Sequence, residues 1–201
     1  MIRGRSETSP TEQAVHPHPW DVFGESQMMA QLPLYQRAYD AAHWHWRAAG
    51  ILVRYSRQTL DATVMPSYAI LASFSIELYL KTIYYIETKE QPSELKEHTL
   101  TILYKKLSEE SRDAIEQYFD NLIPQYMPST ISLPEGATAF TKANAYTTDF
   151  DTTLRIISKA FVNFRYWYQK KSDLIYPSAA EVLRHALNRR IIDLVPQLIS
   201  H

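Results

Sequence analysis

An all-α fold is what this sequence predicts, and three observations predict it. Apolar residues recur at steps of three and four along most of the chain. Only four glycines occur in 201 residues, where average usage would supply roughly 14. That scarcity disfavours hairpin-rich β architecture and glycine-loop phosphate sites. The composition is 45% hydrophobic and 21% charged, which supports a buried core and argues against wholesale disorder. Basic and acidic side chains nearly balance, 21 against 22, for a net charge of −1, so adhesion to nucleic acid or membrane by overall charge is not implied. The lack of cysteine removes disulfides, thiol nucleophiles and thiolate metal sites together.

Residues 1–26 are polar and punctuated by Pro10, Pro17 and Pro19. They read as an N-terminal tail able to pack only through Trp20, Val22 and Phe23. The remainder, 27–201, reads as a single domain. The first 20 residues hold no apolar h-region, so no secretory signal is expected. The most apolar stretch, Ala62 to Ile76, contains Pro66 and several hydroxyls and falls short of the roughly 20 apolar residues a bilayer span needs. A cytoplasmic protein without membrane association is the expectation.

The first helix is predicted from Leu34 to about Leu60, its buried stripe formed by Tyr35, Tyr39, Ala42, Trp46, Ala49 and Val53, with Arg37, Asp40, Arg47, Arg54 and Arg57 mostly off it. Gly50 is expected to loosen it. The second starts around Pro66, which suits a first-turn position, and runs to about Lys89. Ala69, Ile70, Leu71, Phe74, Leu78, Leu80 and Ile83 make it apolar on most sides, the mark of a central helix. Glu77 and Lys81 sit inside it four residues apart, acid first, the better orientation for an intrahelical ion pair.

From Lys96 to about Leu122 the pattern gives one helix interrupted near Ser108, or two short ones, with Ser108, Glu109 and Glu110 as a fresh N-terminus. Residues 124–147 carry Pro124, Pro128, Pro134 and Gly136 without periodicity and read as a long connection. The clearest stripe follows: Phe150, Leu154, Ile157, Phe161, Phe164 and Tyr168, with Thr148 or Asp149 as N-cap. So regular a stripe is packing. A last helix is predicted from Ser178 to about Leu194, with Glu181 near its start and Arg189 and Arg190 towards its end, as the macrodipole prefers.

No metal or cofactor is expected. His43 and His45 lie about 200° apart around a helix and cannot chelate one ion from it. His16 and His18 sit in the tail, where ordering them would cost entropy. Charge is uneven: between Arg155 and Arg190 eight bases face only Asp173 and Glu181, whereas Glu87 to Asp120 carries nine acids against five bases. A basic face beside aromatic side chains can meet phosphates, and can equally be a solvated face complementing the acidic helix. In the cluster Phe161, Phe164, Arg165, Tyr166, Trp167 and Tyr168, Arg165 is free to stack on a ring or to fork onto a carboxylate such as Glu77.

Three segments carry a resemblance. They are Ser75-Ile76-Glu77-Leu78-Tyr79-Leu80-Lys81, then His98-Thr99-Leu100 with Leu103, Tyr104 and Leu107, then Ala160 through Tyr168 with Arg165 at their centre. In order and spacing they resemble the HEPN superfamily (higher eukaryotes and prokaryotes nucleotide-binding) over residues 34–172. The resemblance implies an up-and-down bundle of four to five core helices plus a C-terminal helix, a homodimer, and a role in RNA processing, toxin–antitoxin or antiviral systems. Many members are metal-independent ribonucleases whose last core helix carries Arg, four to six residues, then His. Arg165 matches that arginine, but Lys170, Lys171 and Ser172 stand where the histidine belongs. Arg37 and His43 fit the same spacing, and about one such match is expected by chance.

The reading that follows is a HEPN-like, catalytically degenerate bacterial binding module. It would contact RNA, a nucleotide or a partner protein through Arg165, Tyr166, Lys170 and Lys171. One alternative is a metal-independent endoribonuclease using Arg165 with His98 or Lys170. The other is a purely structural dimeric interaction domain, with Glu77 and Lys81 as a structural polar pair.

Overall fold

The computed structural model describes residues 32–89, 95–126, 149–165 and 177–200, the side chains of 161–165 and 199–200 excepted. The expected tail, the bulk of the 124–147 connection, and His16 and His18 lie outside the described residues. The described helices are α1 (Leu34–Thr59), α2 (Met65–Thr88), α3 (Leu100–Lys105), α4 (Glu109–Tyr126), α5 (Phe150–Arg165) and α6 (Pro177–Leu194), with 3-10 turns at Ala62–Val64 and Pro196–Ser200. They form an all-α bundle, as the sequence predicts, with no strand among the described residues.

Helix α2 is the keel. Tyr68, Ala69, Ala72, Ile76, Tyr79, Leu80 and Ile83 are all at most 1% exposed, and α1, α3, α5 and α6 all pack against it. Small residues allow the closest approach. Ala42 and Ala49 of α1 and Ala69 and Ala72 of α2 are buried, and the Ser75 hydroxyl donates to the Ala42 carbonyl across that seam at 2.7 Å. On another side the Ser73 hydroxyl donates to the Ile157 carbonyl of α5 at 2.9 Å. Ala62–Thr88 is the one described segment long and apolar enough to cross a membrane, and 61% of its most apolar window is buried in the bundle.

Both long helices end with a residue in the left-handed region, Leu60 at φ 56° and Lys89 at φ 59°, the usual way to stop a helix and turn the chain. Gly50 does not interrupt α1, which is continuous through it. The helix expected from Lys96 begins only at Leu100, because other bonds claim the backbone before it. Glu97 accepts the N–H groups of His98 at 3.0 Å and Thr99 at 2.7 Å, which holds the segment extended. The break near Ser108 is real. The Ser108 hydroxyl caps α4 by accepting the Ser111 N–H at 3.2 Å.

Helix α4 runs beyond the expected end near Leu122 to Tyr126, carrying Pro124 within it. Pro124 has no N–H to donate to the Asp120 carbonyl four residues back, and the helix ends two residues after it. Asp149 is the N-cap of α5, its carboxylate accepting the Thr152 N–H at 2.7 Å. The first three members of the α5 stripe, Phe150, Leu154 and Ile157, are buried, and Phe150 meets the rings of Tyr104 at 4.9 Å and Phe119 at 5.3 Å. Arg190, towards the end of α6, is buried, donating to the Ser111 hydroxyl at 2.7 Å and to Glu110 at 2.9 Å, so it ties α6 to α4.

Candidate functional site

Of the residues singled out in the sequence, Tyr166, Lys170 and Lys171 lie outside the described residues. Arg165 closes α5 by its backbone, and its side chain is outside the description as well. The proposed fork of Arg165 onto Glu77 therefore falls outside what the structure describes. Glu77, Lys81 and His98 are described, and they meet.

The Glu77 carboxylate is buried in the wall of α2, with Lys81 Nζ 2.7 Å from its Oε1 and both side chains at most 10% exposed. His98 Nδ1 stands 2.9 Å from the same oxygen, while the imidazole itself is 66% exposed. Burying one charge alone costs several kcal/mol, so the pair is stable only as a pair. The extended segment Leu95–Thr99 delivers the imidazole, because Leu95 is buried and the Leu100 N–H donates to the Ser158 hydroxyl of α5 at 3.1 Å. The result is a buried carboxylate orienting an exposed imidazole, beside a buried ammonium.

A second polar cluster was not anticipated. It lies on α6 at Glu181, Arg184, His185 and Asn188, facing Tyr39, His43 and Trp46 of α1 and Tyr79 of α2. Arg184 Nη2 donates to Glu181 at 2.8 Å, and its guanidinium lies 5.4 Å from the centre of the Trp46 ring, a cation–π distance. His185 Nε2 is 2.9 Å from Glu181 Oε1 and 2.6 Å from Arg184 Nη2. That nitrogen has either one proton or one lone pair, so it serves one of these partners at a time. The Tyr79 hydroxyl is 2.7 Å from His43 Nδ1, and the Tyr39 hydroxyl donates to Asn188 Oδ1 at 2.8 Å.

Electrostatics follow from this packing. Burial, and then the Arg184 charge, lowers the His43 pKa below the ordinary imidazole value. Burial alone lowers that of His45, whose ring stands edge-on to Phe74 at 4.7 Å. Burial would push Glu181 up, but hydrogen bonding from His185 and the charge of Arg184 outweigh it and hold the carboxyl below its usual range. Burial raises the Tyr39 and Tyr79 phenols, so both remain protonated donors at neutral pH. Among the described residues no group of three or more His, Asp or Glu side chains could hold a metal ion.

Beside this cluster a groove of about 430 Å³ opens between α4 and α6, lined by Tyr118, Asn121, Leu122, Gln125, His185, Asn188, Arg189 and Ile192. Its volume is in the range of small-molecule clefts, about 300–1,000 Å³. Sequence reading passed over this face because it treated α6 as a charge pattern. The usable signal was the spacing of Glu181, Arg184, His185 and Asn188, steps of three, one and three that put four polar groups on one side of a helix with buried neighbours.

No family model, no curated protein and no solved structure matches this chain. The residues themselves are therefore the basis for any reading of function.

His43 and His45 fix a pH dependence. With pKa values lowered by folding, the unfolded chain binds more protons wherever the two states differ, so stability rises with pH across that window. It is complete above the unfolded histidine value of about 6.5 and is lost as pH falls below it. Thermal melts should therefore show Tm falling between pH 7 and pH 5, and His43→Gln should flatten part of that fall. A Tm unchanged over the same interval would contradict the assignment.

Proposed function

We propose that this chain is a HEPN-like helical module that works by binding. In this reading it acts as a homodimer in the bacterial cytoplasm, contacts RNA or a nucleotide through Arg165, Tyr166, Lys170 and Lys171, and serves a toxin–antitoxin or defence setting. One observation carries the reading. The helices that carry the three resembling segments pack as neighbours, joined outside the segments by Ser73 of α2 to Ile157 of α5 and from Leu100 of the second segment to Ser158 of α5, and His98 of the second segment is bonded to Glu77 of the first. Binding without turnover follows from the sequence, since Lys170, Lys171 and Ser172 occupy the positions where a histidine would serve as acid and base.

Filter-binding titration with a single-stranded oligoribonucleotide at low salt tests it. The wild-type chain should retain the RNA, and the triple variant Arg165→Ala, Lys170→Ala, Lys171→Ala should bind at least about tenfold more weakly. The salt slope should fall by roughly 0.7 for each lost phosphate contact. RNA passing through the filter at every protein concentration would contradict the reading.

The geometry of Glu77 and His98 favours a second reading, a metal-independent endoribonuclease. A carboxylate that accepts from Nδ1 fixes the imidazole and leaves Nε2 as a base. Nε2 would take the proton of a ribose 2′-OH, the 2′ oxygen would attack the adjacent phosphorus, and the bond to the 5′ oxygen would break. The 5′ oxygen recovers a proton, leaving a 2′,3′-cyclic phosphate and a 5′-hydroxyl. Arg165 would stabilise the charge on the phosphorane. This reading predicts cleavage without added metal, a loss of 10²-fold or more in His98→Ala, and a smaller loss in Glu77→Gln, where the amide still accepts from Nδ1. RNA intact after prolonged incubation at high protein concentration would eliminate it.

A further inference from the structure

The groove between α4 and α6 has the chemistry of a seat for a flat ring with donor and acceptor edges. Leu122 and Ile192 supply apolar wall and Tyr118 an aromatic one, while three carboxamides, Asn121, Gln125 and Asn188, line the same space. A carboxamide presents a donor and an acceptor side by side, the pattern that matches the edge of a nucleobase. Tyr118, Asn121, Leu122 and Gln125 share one face of α4 at steps of three, one and three, so the helix itself sets their register.

Asn188 is the most constrained of these groups. The Tyr39 hydroxyl donates to its Oδ1 at 2.8 Å, and burial keeps that phenol protonated. The amide orientation is thereby assigned, with the oxygen committed to Tyr39 and the NH₂ left to donate elsewhere. Such a preset donor loses little entropy when a ligand arrives. Arg189 lies at the groove with a 64% exposed side chain, a 3.7 Å contact to Asp193 and a hydrogen bond with the Tyr118 hydroxyl. Exposed pairs of this kind are weak, so the guanidinium can turn to a phosphate.

We infer that this groove binds a nucleobase, of a free nucleotide or of an unstacked RNA residue, through Asn188, Asn121 and Gln125, with Arg189 meeting its phosphate. The inference rests on the reading of the chain as an RNA- or nucleotide-binding module and gives that module a site on α4 and α6.

Equilibrium dialysis of the full chain against AMP, GMP and ribose 5-phosphate tests it, with filter binding of an oligoribonucleotide in parallel. The variants are Asn188→Ala and the double variant Asn121→Ala, Gln125→Ala, the latter at exposed positions where the fold is not at risk. The expected result is binding of AMP or GMP by the wild type, at least about tenfold tighter than ribose 5-phosphate. Both variants should weaken it about tenfold, the scale of one to two lost hydrogen bonds. Nucleotide binding unchanged in the variants, or ribose 5-phosphate bound as tightly as the nucleotides, would overturn the inference. RNA bound equally by wild type and double variant, with no nucleotide bound, would overturn the groove and leave the RNA-binding reading standing. Nucleotide bound in the groove with no RNA affinity would support the groove and identify free nucleotide as the source. No binding of either by the wild type would overturn both.

Discussion

A helix that is apolar on most sides must be surrounded, and α2 imposes that condition on the whole bundle. Fully burying one large apolar side chain contributes about 1.5–3 kcal/mol, and α2 buries seven aromatic, aliphatic or alanine side chains almost completely between Tyr68 and Ile83. Four other helices take positions around it, and their polar side chains have to reach partners within the space that remains. The Glu77–Lys81 pair is a buried ion pair inside α2. A lone buried charge would cost several kcal/mol, and the 2.7 Å contact between the two removes that cost without adding much net stability. What the pair does provide is an oriented acceptor, which the His98 imidazole meets from the solvent side.

Polar groups elsewhere tie the outer helices together. At the end of α2, Glu87 accepts the Ser108 N–H at 2.9 Å and the Ser108 hydroxyl at 2.6 Å, and the Ser111 hydroxyl also donates to it. A carboxylate at a helix N-terminus satisfies unpaired N–H groups and suits the dipole. Arg190 completes the clasp from α6 through the same Ser111 hydroxyl. The clasp thus joins the two helices that line the groove.

Much of this arrangement was legible in the sequence. The apolar runs gave α1, α2 and the start of α5 their extents, Pro66 marked the first turn of α2, and the Ser108-Glu109-Glu110 break located α4. Glu77 with Lys81 was readable because an i, i+4 pair is a local event. The errors came where a long-range partner decides. Lys96–Thr99 is extended because Glu97 binds the backbone beside it and Glu77, from α2, holds its histidine, and no periodicity reports the bond from Glu77. Arg190 is also clasped to Glu110 of α4, a tertiary contact that its place in the helix does not report. The Arg184 cluster gathers residues from α1, α2 and α6, and only tertiary packing brings Tyr39, Tyr79 and Asn188 to one place.

The bundle depends on α2 as the buried rod against which the other helices pack. Native-state hydrogen exchange measures this directly, because an amide that opens only with the whole domain exchanges at the free energy of global unfolding. The backbone amides of Ala72 to Ile83 should all exchange at that limit, slower than those on the outer face of α1 and in the Leu95–Thr99 segment. If they exchange through a smaller local opening while α1 or α6 remains protected, α2 is not the keel, and the packing from which the sites were derived is wrong.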